Sequence, residues 1–213
     1  MMELTIIQKI AIYALPVIFA ITVHEAAHGY AARYFGDMTA HLAGRITLNP
    51  VKHIDPIGTI LVPALTMLAG GILFGWAKPV PVDFSRLRNP KRDMLWVAAA
   101  GPASNLAMGI LWALVLKFSV DAPADLSTPL AYMAQAGIMI NIVLMVLNLI
   151  PLPPLDGGRI AVSLLPNDMA MRYAKLEQYG FIILLVLLFT GVLSKIMSPF
   201  IYATLGMISW LFA

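Results

Sequence analysis

Two histidines four residues apart, His24 and His28, with Glu25 between them, sit near the end of an almost unbroken apolar stretch that begins near Leu4. Positions i and i+4 share one face of an α-helix. Both imidazoles can therefore reach one Zn²⁺ while the glutamate serves as general base, which is the chemistry of a metalloprotease. An ionisable side chain near a bilayer centre costs about 2.5–3.5 kcal/mol on insertion scales. Three such side chains so close together argue for a function. The bland alternative is a polar patch satisfied by neighbouring helices.

A catalytic zinc keeps three protein ligands and one open position, so a third ligand must be found. The chain has no cysteine, which leaves histidine and carboxylate. His41 and His53 read as loop residues, with an outer-shell role conceivable for His53. Glu3 falls at the far end of the first helix, Asp121 and Asp125 belong to the opposite face, and most other carboxylates lie beside Lys or Arg in loops. Asp156 stands apart. It follows a fully apolar helix and an irregular segment, Asn148-Leu149-Ile150-Pro151-Leu152-Pro153-Pro154-Leu155-Asp156-Gly157-Gly158. The prolines end the helix and free backbone groups, which at membrane depth are tolerable only when buried in protein or lining a water-filled cavity. Gly157 and Gly158 allow close backbone approach and lead into a short helix expected over Arg159 to Leu165. The competing role for Asp156 is to cap that helix. Asn105 and Asn148 are candidates either for hydrogen bonds across helices or for contacts to substrate or to an oxyanion. Ala98 to Ala100, Gly101, Ala103, Ser104 and Gly109 read as a surface for tight helix contact.

The elements that must position these residues are membrane helices. Hydrophobic residues make up 60% of the 213 positions, charged residues 12%, and mean hydropathy is +0.84, against about 25% charged in soluble domains. Bilayer-spanning lengths of roughly 20 residues can be drawn at Thr5 to Arg33, Ile57 to Ala77, Met94 to Phe118, Leu130 to Ile150, Tyr179 to Leu193 and Ile196 to Ala213. The fold class is an all-α polytopic membrane protein. It has a three-helix catalytic core, a re-entrant segment over 57–77, a small β-hairpin over Met38 to Asn49 turning at Ala43-Gly44, and a C-terminal helical hairpin over about 176–213. One transmembrane domain over 1–213, with its core at about 5–165, is expected, and no soluble module is hidden in the loops. The first stretch reads as a retained helix, because signal cleavage near Ala26 or Ala27 would destroy the histidine pair.

Charge orients the chain. Arg33, Arg45 and Lys52 follow the first stretch; Lys78, Arg86, Arg88, Lys91 and Arg92 follow the second; Arg159, Arg172 and Lys175 follow the fourth. All of these lie on the cytoplasmic side if the second stretch enters and leaves on one face, and Pro63, Gly70, Gly71 and Gly75 supply the breaks that re-entry needs. His24 then lies roughly 13 Å below the cytoplasmic surface, at 1.5 Å per residue from Arg33. The net charge of +3 carries no basic run with interleaved aromatics, so nucleic acid is not an expected partner.

At this point the sequence resembles the site-2 protease family of intramembrane zinc metalloproteases. That family pairs HExxH with N-x-x-P-x-P-x-L-D-G, and both occur here in that order, at His24 to His28 and Asn148 to Gly157. Gly101-Pro102-Ala103-Ser104-Asn105 looks like its small-residue motif on the intervening core helix. Gly44 to Pro50 and Gly75 to Val82 look like the compact bacterial branch without a PDZ domain. The first helix here already bears HExxH, whereas better-known members place another transmembrane helix before it.

The resemblance implies one Zn²⁺ per chain held by His24, His28 and Asp156, with Glu25 activating water. The expected activity is endoproteolysis of transmembrane segments of membrane proteins, in regulated intramembrane proteolysis. The expected location is the bacterial cytoplasmic (inner) membrane, with the active site nearer the cytoplasmic side. Expected partners are a transmembrane protein substrate, the lipid bilayer, and an adaptor or upstream protease of unknown identity. The alternative is a membrane metal transporter or metal-binding membrane protein, since His and Asp inside helices also mark ion pathways.

Overall fold

Thr5 starts the first helix with a capping box: its hydroxyl accepts the Gln8 N–H at 3.3 Å, and the Gln8 side chain accepts the Thr5 N–H at 2.9 Å. Helix α1 then runs from Ile6 to Tyr34, about 43 Å at 1.5 Å per residue. Gly36, at φ 111°, ends it in a conformation that a side chain would resist. The computed structural model describes residues 5–62 and 75–212.

After α1 come a single helical turn, α2 (Thr39–Leu42), a 3₁₀ turn at Pro50–His53 and a π-helical turn at Pro56–Leu61. An extended segment, 75–83, then leads through a turn at Phe84–Arg86 to α3 (Pro90–Phe118). Proline at the first position of α3 costs no hydrogen bond, and Asp93 reaches back to the Asn89 N–H at 2.7 Å. Helix α4 covers Ala124–Asn148; α5 (Asp156–Leu164), α6 (Asn167–Ala174), α7 (Glu177–Phe189) and α8 (Val192–Phe212) follow. Among the described residues four helices are long and apolar enough to cross a membrane, within α1, α3, α4 and α8, and α7 is a shorter apolar helix.

Helices α1, α3 and α4 pack on one another as a three-helix core. Small residues let α3 and α4 close up. A β-carbon on Gly137 would come within 2.4 Å of the Trp112 ring, and one on Gly109 within 3.2 Å of Ile142 Cδ1. Helices α7 and α8, joined at Gly191 (φ 73°), form the C-terminal hairpin. Leu184, Leu193, Met197 and Ile208 of that hairpin share an apolar core with Ala113, Ile138, Ile142, Met145 and Val146.

The β-hairpin expected over Met38 to Asn49 is corrected. Residues 39–42 are helical, and no strand occurs among the described residues. The cause is Asp37, whose carboxylate accepts the Thr39 N–H at 2.9 Å and the Thr39 hydroxyl, starting a turn that overrides the apolar alternation. The middle of the expected re-entrant segment, 63–74, lies outside the described residues. Its two ends meet: the Trp76 N–H donates to the Gly58 carbonyl at 3.0 Å and the Thr59 hydroxyl to the Trp76 carbonyl at 2.9 Å.

Candidate metal centre

Helix α1 presents His24 and His28 on one face, as their spacing requires, and α3 receives them. His24 Nδ1–H donates to Asn105 Oδ1 at 2.6 Å, and His28 Nδ1–H donates to the Val97 carbonyl at 2.7 Å. A backbone carbonyl can only accept, so His28 carries its proton on Nδ1 and turns the Nε2 lone pair inward. The two Nε2 atoms lie 3.0 Å apart.

Asp156 arrives from the other side on the first residue of α5. Its Oδ2 lies 3.2 Å from His24 Nε2 and 3.3 Å from His28 Nε2, buried and without a hydrogen-bond partner. Reading these contacts as ion pairs would require protons on Nε2. The Nδ1 partners argue instead for lone pairs on all three atoms, and converging lone pairs are stable together only around a cation. The spacing agrees, because a tetrahedral zinc with bonds of 2.0–2.1 Å sets its nitrogen ligands about 3.3 Å apart. Donor chemistry and geometry both fit zinc. Among the described residues, His24, His28 and Asp156 are the group of three that could hold a metal.

Two glycines explain how Asp156 gets there. A β-carbon on Gly157 would strike the Leu149 and Ile150 carbonyls, and one on Gly158 would lie 2.3 Å from Pro153 N, so α5 starts in contact with the backbone of the proline-rich turn. Tyr173 of α6 donates its hydroxyl to the Pro151 carbonyl, and Gly180 lets α7 press on Pro153. Gly101, read from sequence as a packing residue, faces the donors themselves. Its β-carbon would lie 2.4 Å from His28 Nε2.

Glu25 lines the same cavity. Its Oε2 accepts the Val80 N–H at 2.7 Å, which fixes the carboxylate and leaves Oε1 to face other groups. The 75–83 segment that brings Val80 there is held along its length. The His53 carbonyl accepts the Lys78 N–H at 2.9 Å, Arg45 donates to the Lys78 and Pro79 carbonyls at 2.9 and 3.2 Å, and Asp37 accepts the Asp83 N–H at 2.8 Å. Sequence reading missed Arg45 and Asp37, because nothing in their local spacing names a partner more than thirty residues away. His53 is buried and donates Nε2–H to the Thr47 carbonyl at 2.9 Å, whereas His41 is exposed and away from the site. The Asp83 carboxylate, outside the spanning helices, is held below the usual range chiefly by the Ser85 hydroxyl.

A cavity of about 260 Å³ opens beside the donors, lined by Glu25, Val80, Ala98, Asn148, Asp156 and Arg159 among others. Asn148 borders it and gives one N–H to the Leu144 carbonyl at 3.0 Å. Asn105 does not border it. That side chain is fully buried, and its Nδ2 donates to the Ala20 carbonyl at 3.2 Å and to Asn141 Oδ1 at 2.9 Å. Arg159 lies over the Phe84 ring, 5.0 Å from its centroid, at the cavity's rim. Larger grooves of about 570 and 530 Å³ are lined almost wholly by apolar side chains and contain none of the donor residues.

Apolar helices long enough to cross a bilayer, carrying a buried nitrogen-and-oxygen donor set with a carboxylate beside it, define a membrane-embedded metalloenzyme. Comparison with known proteins supplies the family. Residues 119–191, which include the Asn148 to Gly157 motif, match Peptidase family M50. The chain is 42% identical over 190 residues to "Putative zinc metalloprotease YwhC" of Bacillus subtilis (strain 168), covering 87% of this chain and 84% of that protein. It is 31% identical over 187 residues to "Putative zinc metalloprotease Rip2" of Mycolicibacterium smegmatis, covering 87% and 69%. To the protein of the same name from Mycobacterium tuberculosis (strain H37Rv) it is 29% identical over 195 residues, covering 91% and 70%. No solved structure matches the chain. The chain belongs to Peptidase family M50, the site-2 protease family, and is an intramembrane zinc metalloprotease.

Proposed function

We propose that His24, His28 and Asp156 hold a single zinc and that Glu25 is the general base for hydrolysis of a peptide bond in a transmembrane segment of another protein. The observation that carries this reading is the convergence of three lone pairs, from helices α1 and α5, at 3.0–3.3 Å from one another. Zinc supplies acidification of water and polarisation of the scissile carbonyl. The chain does the rest. Val80 N–H holds Glu25 Oε2, so Oε1 takes the proton from water and delivers it to the leaving nitrogen. Asn148, on the cavity wall, is placed to donate to a substrate carbonyl.

The metal lies nearer the cytoplasmic face of a bacterial inner membrane, where the basic loops gather, and the cleavage serves regulated intramembrane proteolysis. The stretch 57–77 reads as re-entrant on one face, a reading supported by the hydrogen bonds between its described ends. It and the α7–α8 hairpin are the elements that part to admit a substrate helix, after an upstream protease or adaptor has prepared it. One transmembrane domain contains all of this. Metal transport, the alternative, would need successive polar clusters along a path.

Glu25→Gln tests the assignment. Cleavage of a transmembrane peptide in proteoliposomes should vanish while bound zinc stays near one per chain. Retained cleavage would remove Glu25 from its role.

A further inference from the structure

We infer that Asn141 is a positioning residue of the metal centre, acting through Asn105 to hold His24 with its Nε2 lone pair toward His28 and Asp156. The inference rests on the reading of His24 as a metal ligand. Its basis is a chain of amides across all three core helices. The Gly137 carbonyl accepts Asn141 Nδ2–H at 2.8 Å, Asn141 Oδ1 accepts Asn105 Nδ2–H at 2.9 Å, and Asn105 Oδ1 accepts His24 Nδ1–H at 2.6 Å.

The direction of this chain is forced. An amide can be turned end for end, but Gly137 and Ala20 present backbone carbonyls, which only accept. Each therefore requires an NH₂ group opposite it. Asn141 must then aim its oxygen at α3, and Asn105 must aim its oxygen at α1. A histidine facing an oxygen must protonate the nitrogen there, so His24 carries hydrogen on Nδ1 and a lone pair on Nε2. Asn105 and Asn141 are both fully buried, with no solvent to substitute for a lost partner. Such outer-shell partners typically account for roughly 10–100-fold in metal affinity.

The test is zinc affinity of the full chain in detergent, read with zinc alone in a chelator-buffered titration, beside thermal unfolding of the metal-free protein. Asn105→Leu should lose about 10–100-fold in affinity, and Asn141→Leu several-fold or more. Asn141→Asp should stay near wild type, because a protonated carboxyl keeps both the accepting oxygen and a donor for Gly137. Thr204→Val removes a different buried hydrogen bond, from α8, and should leave zinc affinity unchanged. If Asn141→Leu does not fold, Asn141→Ala takes its place. The inference is overturned if the folded Asn141→Leu or Asn141→Ala protein binds zinc like wild type, if Asn141→Asp loses as much as Asn141→Leu, or if Thr204→Val does. His24→Ala separates the two levels. Its failure to weaken zinc binding would sink the ligand assignment itself, whereas its loss beside an unaffected Asn141→Leu would sink only the relay.

Discussion

Gly101 shows how much one hydrogen atom can matter at the centre of α3. Alanine there would stabilise a free helix by about 0.5–1 kcal/mol. Its β-carbon would also press to 2.4–2.6 Å from His28 Nε2 and from His24 Cε1 and Nε2, the space a bound ion needs. Gly101→Ala should therefore fold and yet lose most bound zinc and all cleavage, a result that metal analysis of the purified variant would check. The contrast is Gly109→Ala on the same helix, where the β-carbon meets a flexible Ile142 methyl at 3.2 Å and zinc content should be kept.

At the scale of elements, the proline-rich turn and α5 act as one unit, and Gly157 and Gly158 are what join them. A β-carbon on Gly158 meets Pro153 N and the Leu152 carbonyl carbon, rigid backbone that cannot swing aside. Gly158→Ala should cost about 1–3 kcal/mol as an overpacked site and, by shifting the start of α5, should weaken zinc binding too. Gly206→Ala in α8, with nothing within 4 Å of its β-carbon, should be neutral or slightly stabilising in the same thermal unfolding measurement. The 75–83 segment is a second such unit. Arg45→Ala removes two charge-assisted bonds to it and should lower turnover by freeing Glu25's partner Val80, with zinc stoichiometry unchanged.

For the whole molecule, the donors tie α1 to α5, and through the proline-rich turn to α4, so metal binding and folding are linked. Zinc at a hundred times its dissociation constant should stabilise the native state by about 2.7 kcal/mol. A chelator should lower the unfolding temperature of wild type, and it should have no effect on His24→Ala or Asp156→Ala. Equal chelator sensitivity in all three proteins would contradict the linkage.

Sequence alone determined the class, because apolar composition requires a membrane. It also marked the candidate site, since His24, Glu25 and His28 stand out where polar groups are expensive and Asp156 stands out behind its proline-rich segment. Four of the six expected spans were legible from that apolar composition, as α1, α3, α4 and α8; Tyr179 to Leu193 falls on a shorter apolar helix, and most of 57–77 lies outside the described residues. Tertiary structure decided what no local spacing encodes. It set Val80 against Glu25 and made Gly101 the floor of the donor site. It also took Asn105 out of the cavity and joined it to Asn141. Each of these depends on which backbone or side-chain group a distant segment presents, and that is settled only when helices pack.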